Sequence, residues 1–200
     1  MSDKNLDNLV VDIQQKWASI VLEISKAYKN GADVKDLVSN LLHDVYAFDH
    51  CNVLFKPTLA KTVQFRSKKD EFESYFLGQN NVCEEDSGFA IKEWKSIKFE
   101  NYKIVDYNSS ILAMGNYFFE DGEQKLLKVE YTFGFIRIKD LLKINLQSIA
   151  SDTIMSTINF SNQCFTTTIP KIYSLICIYC DISCRICVPT SYTQQNIIRS

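Results

Sequence analysis

The stretch ILAMGNYFFEDGEQKLLKVEYTFGFIRIKDLLKINLQS, residues 111–148, decides the fold. Apolar and polar residues alternate along it, the two-residue period of strands with one buried face. Asp121-Gly122-Glu123 and Lys139-Asp140 break the alternation with turn-forming residues, which predicts strands over 111–120, 125–137 and 141–148. A further strand is predicted over 96–107, set off by Asn108-Ser109-Ser110. Links this short join antiparallel neighbours, so the four strands form a meander.

Upstream, the period is helical. Leu6, Leu9, Val10, Ile13, Trp17, Ile20, Ile24 and Tyr28 recur at three- and four-residue spacing, and Asn30-Gly31 supplies a stop. Asp33 is placed to cap a second helix whose apolar face is Val34, Leu37, Val38, Leu41, Leu42, Val45 and Tyr46. Residues 52–56 and 62–66 read as short strand pieces separated by Pro57, and Ser67-Lys68-Lys69-Asp70 resembles a capping box for a helix ending near Gly78. Helices followed by long antiparallel strands predict an α+β fold in which a strongly curved sheet wraps over N-terminal helices and leaves a pocket at the open end of a cone. The predicted domain covers 1–150. Residues 151–200 are poor in charge and rich in Ser, Thr, Ile and Cys, and are expected to form a tail that does not pack into it.

A hydrophobic content of 46% is that of a chain with a real core, and a net charge of −2 gives no basic surface for nucleic acid or anionic lipid. The N-terminus has neither an apolar signal core nor transit-peptide character, and no apolar run reaches membrane-span length. A soluble cytoplasmic protein is therefore expected, with neither nucleic acid nor membrane as partner.

Five of the seven cysteines lie beyond residue 150. Cys177, Cys180, Cys184 and Cys187 have ligand-like local spacing, but the three-residue gap between the pairs is too short for a zinc ribbon and departs from ferredoxin patterns. They are read as incidental. The two histidines, His43 and His50, lack a third partner for a catalytic metal and are read as helix-end surface residues. Neither a nucleophile elbow nor a phosphate-binding glycine loop is present. Glu84, Glu85 and Asp86 read as a solvated charge run in a loop. Thr58, after Pro57 at the tip of a strand piece, and Tyr75, on the short helix over the wide end of the sheet, are able to point into one pocket.

Six blocks in order, NVLFKPTLA (52–60), VQFR (63–66), SYFLG (74–78), EDSGFAIKEWKSIKFEN (85–101), ILAMGNYFF (111–119) and VEYTFGF (129–135), resemble the iota-class carbonic anhydrases. The resemblance runs from about Leu37 to Leu146. It implies the nuclear transport factor 2-like fold, shared with SnoaL-like cyclases and the association domain of calcium/calmodulin-dependent kinase II. It also implies reversible hydration of CO2 to bicarbonate, in some members with no metal, so neither metal nor organic cofactor is expected.

In that family a Thr and a Tyr, with a His and a Ser from the last strand, hold the bicarbonate and the attacking water. Thr58 and Tyr75 match the first two. The family's His-His-Ser-Ser run after Ile-x-Leu is replaced here, after Ile144-Asn145-Leu146, by Gln147-Ser148-Ile149-Ala150. On this reading Ser148 stands for the imidazole and Ala150 for the hydroxyl, and turnover should be impaired, because Ser is no base near neutral pH and Ala makes no hydrogen bond. Tyr75 is expected to face Thr58 and Ser148, with Trp94 or Tyr131 in the wall. The alternative is a non-catalytic association or small-ligand-binding module of the same fold. In either case a homodimer through the exposed sheet face is expected.

Overall fold

The computed structural model describes residues 3–78 and 80–150. The expectations for the 151–200 tail and its cysteines lie outside the described residues. The elements run α1 (Asp3–Lys29), α2 (Lys35–Val45), β1 (Leu54–Lys56), α3 (Lys69–Leu77), β2 (Ser96–Asp106), β3 (Ile111–Glu120), β4 (Leu126–Ile138) and β5 (Leu141–Ala150). This is the α+β order that the two periodicities predict.

α1 buries Val10, Ile13, Trp17, Val21 and Ile24 along one stripe, together with the polar Gln14. Lys26 and Lys29 lie in its last turn, where cations complement the helix dipole, and Gly31 turns the chain at φ 79°. Asp33 accepts the Lys35 N–H at 3.0 Å as α2 begins, although Val34 occupies the N-cap itself. α3 starts one residue later than the Ser67–Asp70 box implies. Its N-cap is Lys68, and Glu71, not Asp70, reaches back to the N–H groups of Ser67 and Lys68 at 2.8 and 3.1 Å. A Glu at the third helical position spans this distance better than the shorter Asp would from the second. Gly78 ends the helix at φ 69°, its N–H donating to the Ser74 carbonyl at 2.7 Å.

The five strands form one open sheet in the order β1-β5-β4-β3-β2, with β2 to β5 as the expected antiparallel meander. β1 pairs parallel with β5, Phe55 opposite Gln147, an arrangement the sequence reading does not contain. The strand expected at 62–66 reduces to a single bridge between Arg66 and Phe55. Trp17, fully buried, is the hub between helices and sheet, with Phe76, Phe89, Phe99, Tyr117 and Phe119 around it at ring-centroid distances of 6.0–6.5 Å.

Two bulges bend this sheet. One extra residue, Tyr102, interrupts β2 against β3, and another, Asn145, interrupts β5 against β4. A bulge bends its strand and raises the local twist. Each has a glycine on the neighbouring strand. A Cβ on Gly115 would lie 2.0 Å from the Glu100 carbonyl oxygen, and one on Gly134 would lie 2.8 Å from Asn145 Oδ1 and 2.9 Å from Leu146 Cβ. Backbone fills the space at Gly115, and the side chains of Asn145 and Leu146 fill it at Gly134. Gly115→Ala is expected to lower the unfolding free energy by about 1–3 kcal/mol, the usual cost of overpacking, because the obstruction is backbone; urea denaturation measures it.

Candidate active site

A cavity of about 210 Å³ opens between the loop after β1, the N-terminal part of the 85–92 loop, α3 and the inner face of β3–β5. Thr58 enters it from the loop held in place by Pro57, and Tyr75 from α3. Tyr117 and Phe119 of β3, Val129 of β4 and Ile149 of β5 line the sheet side, and Phe89 stacks on Tyr75 at 5.2 Å with an interplanar angle of 13°. Thr58 and Tyr75, 17 positions apart in sequence, thus share one space.

Ser148 and Ala150 do not join them. Directly opposite residues on an antiparallel pair share a face. Ser148 pairs with Thr132 and Ala150 with Glu130, on the outer face, whereas Gln147 pairs with Phe133 and Ile149 with Tyr131, whose side chains are buried. Ser148 and Ala150 line a shallow outer depression with Tyr102, Met114 and Thr132. The cause is the Asn145 bulge. Leu142 and Ile144 face inward, and an unbroken period of two would carry Leu146, Ser148 and Ala150 inward after them. One inserted residue inverts the phase, so Gln147 and Ile149 occupy the inner positions.

Trp94 and Tyr131 are also absent from the wall. Trp94 packs behind it, on Phe89 and Phe119 at 5.4 and 5.1 Å, with its indole N–H donated to the Phe89 carbonyl. The Tyr131 hydroxyl is engaged by Gln14 and Asn101.

The loop expected to carry a solvated charge run instead braces the cavity. Arg66 has a fully buried side chain and makes a bidentate pair with Asp86 at 2.6 and 2.9 Å, while donating to the carbonyls of Val63 and Glu71 at 3.2 Å. The Glu85 carboxylate accepts the backbone N–H groups of Lys61, Thr62 and Val63 at 2.6–3.0 Å. Those bonds, led by that of Thr62, hold its pKa below the usual carboxylate range. Both carboxylates face the loop that carries Thr58 because three consecutive N–H groups and a buried guanidinium await them there.

The remaining polar groups around the cavity are phenols and an amide. Burial raises the pKa of Tyr46, Tyr75 and Tyr117 above that of an ordinary phenol. Trp17 Nε1 donates to Tyr46 Oη at 3.0 Å, and Tyr46 donates in turn to Gln147 Oε1. Gln147 Nε2 and Tyr117 Oη are buried without a hydrogen-bond partner among the described residues. His43, at the end of α2, pairs with Asp44 at 2.9 Å and is 68% exposed, and His50 is exposed beyond it, as read from the sequence. Among the described residues no group of three or more His, Cys, Asp or Glu is placed to hold a metal ion, and no helix is long and apolar enough to cross a membrane.

A family model described as metal-independent carbonic anhydrase matches residues 8–151. The chain belongs to this family. A curated metal-independent carbonic anhydrase from Nostoc sp. is 31% identical over 131 residues, a span that is 64% of this chain and 64% of that relative's length. Among solved structures, a cyanobacterial iota-carbonic anhydrase complexed with bicarbonate superposes with a TM-score of 0.69 at 26% identity, covering 76% of this chain and 92% of that one. A nuclear transport factor 2-like protein from Cytophaga hutchinsonii aligns over 76% of this chain and 99% of its own at 11% identity and a TM-score of 0.49.

In this member of the metal-independent carbonic anhydrase family the Arg66–Asp86 ion pair is buried, so breaking it by removing one partner is costly. Arg66→Met, which strands the Asp86 carboxylate, is expected to cost about 3–5 kcal/mol of unfolding free energy, and Arg66→Met with Asp86→Leu to recover most of it. Chemical denaturation of the two variants reads the difference.

Proposed function

We propose that this chain takes CO2 and bicarbonate into the Thr58–Tyr75 cavity and interconverts them without a metal, at a turnover far below that of a site with a histidine base. The observation that carries the reading is the meeting of Thr58 and Tyr75 in one cavity of a chain from the metal-independent carbonic anhydrase family. The cavity suits both species. Phe89, Phe119, Val129 and Ile149 offer an apolar wall to CO2, the two hydroxyls orient water and bicarbonate oxygens, and Lys92 places a cation at the mouth.

Among the described residues the cavity has no uncommitted base near pH 7. Asp86 is committed to Arg66 and Glu85 to three backbone N–H groups, the buried phenols stay protonated, and Gln147 and Ile149 occupy the inner positions of the last strand. General-base assistance is worth about 10²–10⁴-fold in rate, which sets the scale of the deficit. The same deficit favours, as a second reading, a site that binds the ligand without turning it over. The outer sheet face, with Tyr102 87%, Met114 54% and Leu112 36% exposed beside the small Ser148 and Ala150, is our proposed homodimer surface.

Stopped-flow CO2 hydration in chelator-treated buffer tests the reading. Gln147→His with Ile149→Ser is expected to raise the rate by about 10²-fold or more, Tyr75→Phe to abolish that gain, and Ser148→His with Ala150→Ser, on the outer face, to leave the rate unchanged. No gain from the inner pair would refute the carbonic anhydrase reading. For the dimer, Met114→Glu is expected to convert the sedimenting species from dimer to monomer at micromolar concentration; a parent chain that is already monomeric overturns it.

A further inference from the structure

We infer that Tyr117 is a further ligand-binding residue, its buried and unpartnered hydroxyl placed to donate its proton to an acceptor oxygen in the cavity. This rests on reading the cavity as the bicarbonate site, and adds to it a residue and a rule for the oxygen it selects.

The direction of the chain follows from its first member. An indole N–H can only donate, so Trp17 takes a lone pair of Tyr46 Oη at 3.0 Å and leaves the Tyr46 proton to go onward. It goes to Gln147 Oε1. In the structure the amide oxygen of Gln147 is the atom that faces Tyr46. Gln147 Nε2 therefore points its protons away from Tyr46, and nothing in the described protein accepts them. The Tyr117 hydroxyl lies near enough to the Gln147 amide for that amide to oppose part of the upward shift of its pKa by burial, yet no hydrogen bond of ordinary geometry joins it to Gln147 or to any other described residue.

Gln147 is fully buried and Tyr117 is 1% exposed, so both unsatisfied groups carry a desolvation cost that a folded chain ordinarily avoids. Their arrangement shows what would satisfy them. The amide has only protons to offer on that side, so it can engage only a lone pair of Tyr117. The Tyr117 proton then has one direction left, into the cavity that its side chain lines. Thr58 and Tyr75 present hydroxyls to the same space. A planar, negatively charged oxygen acid fits a floor of donors, and a donor-only ligand does not. Gln147, with only protons to offer on that side, leaves the Tyr117 proton free, and Tyr117 is the contact to the ligand.

The test is a titration of the full chain with ¹³C-labelled sodium bicarbonate at pH 8 and constant ionic strength, followed by ¹³C line width, with thermal midpoints measured alongside. Tyr117→Phe is expected to weaken bicarbonate binding about three- to tenfold, the range of one hydrogen bond, while leaving the midpoint unchanged or raised, because a buried unsatisfied hydroxyl has been removed. Nitrate, planar and acceptor-only, should compete in the parent chain and lose affinity by the same factor in Tyr117→Phe. Unchanged bicarbonate binding in Tyr117→Phe, with binding weakened in Tyr75→Phe, overturns this inference and leaves the carbonic anhydrase reading intact. Weaker binding accompanied by a lower midpoint makes Tyr117 structural and also overturns it. A parent chain that binds no bicarbonate overturns both.

Discussion

Between Ile144 and Leu146 the ladder joining β4 to β5 slips by one residue, and the identity of the inner side chains of the last strand depends on that slip. A strand shows alternate residues to alternate faces, so a single insertion exchanges everything beyond it. Before Asn145 the inward residues are Leu142 and Ile144, which complete an apolar core. After it they are Gln147 and Ile149, which put one amide against the Trp17–Tyr46 pair and one methyl-rich wall beside Thr58 and Tyr75. Gly134 on the facing strand makes the slip sterically possible, because the bulge brings Asn145 and Leu146 to where a Cβ would stand.

The sequence carried the periodic parts of this fold and missed the aperiodic ones. β3 has the bounds that its alternation predicts, and the other long strands shift by at most two residues at an end. Alternation survives a tertiary environment because each strand has one buried face. The bulge is different. It adds one residue without changing composition, and its only trace is a glycine on the neighbouring strand, so an unbroken count of two placed Ser148 and Ala150 inside. The charged loop misled for a related reason. Nothing near Glu85 or Asp86 shows that Arg66 lies buried behind them. The available sign was an arginine closing the short strand-like stretch 63–66, where a cation facing the core has to find a counter-charge. Thr58 and Tyr75 came together as expected, although it was the resemblance that singled them out.

Chemically the cavity is one-sided. Its sheet-side wall is apolar, its two carboxylates are tied to backbone N–H groups and to Arg66, and the polar groups left over include the hydroxyls of Thr58, Tyr75 and Tyr117. Such a site can stabilise charge on a ligand oxygen more readily than it can remove a proton from water. Binding and proton removal are separate demands on a metal-free site, and on the reading proposed above Gln147 and Ile149 serve only the first.

The brace formed by Arg66, Asp86 and Glu85 bears on how small a ligand the cavity can recognise. A molecule of four heavy atoms has at most about 6 kcal/mol to give, at the ceiling of roughly 1.5 kcal/mol per atom reached by the best tiny ligands. Ordering even a few loop residues at about 1–2 kcal/mol each would consume that. Here the chain from Lys61 to Val63 is pinned by a carboxylate before any ligand arrives. The conformational entropy was surrendered once, during folding, and the ligand's few contacts remain available for recognition.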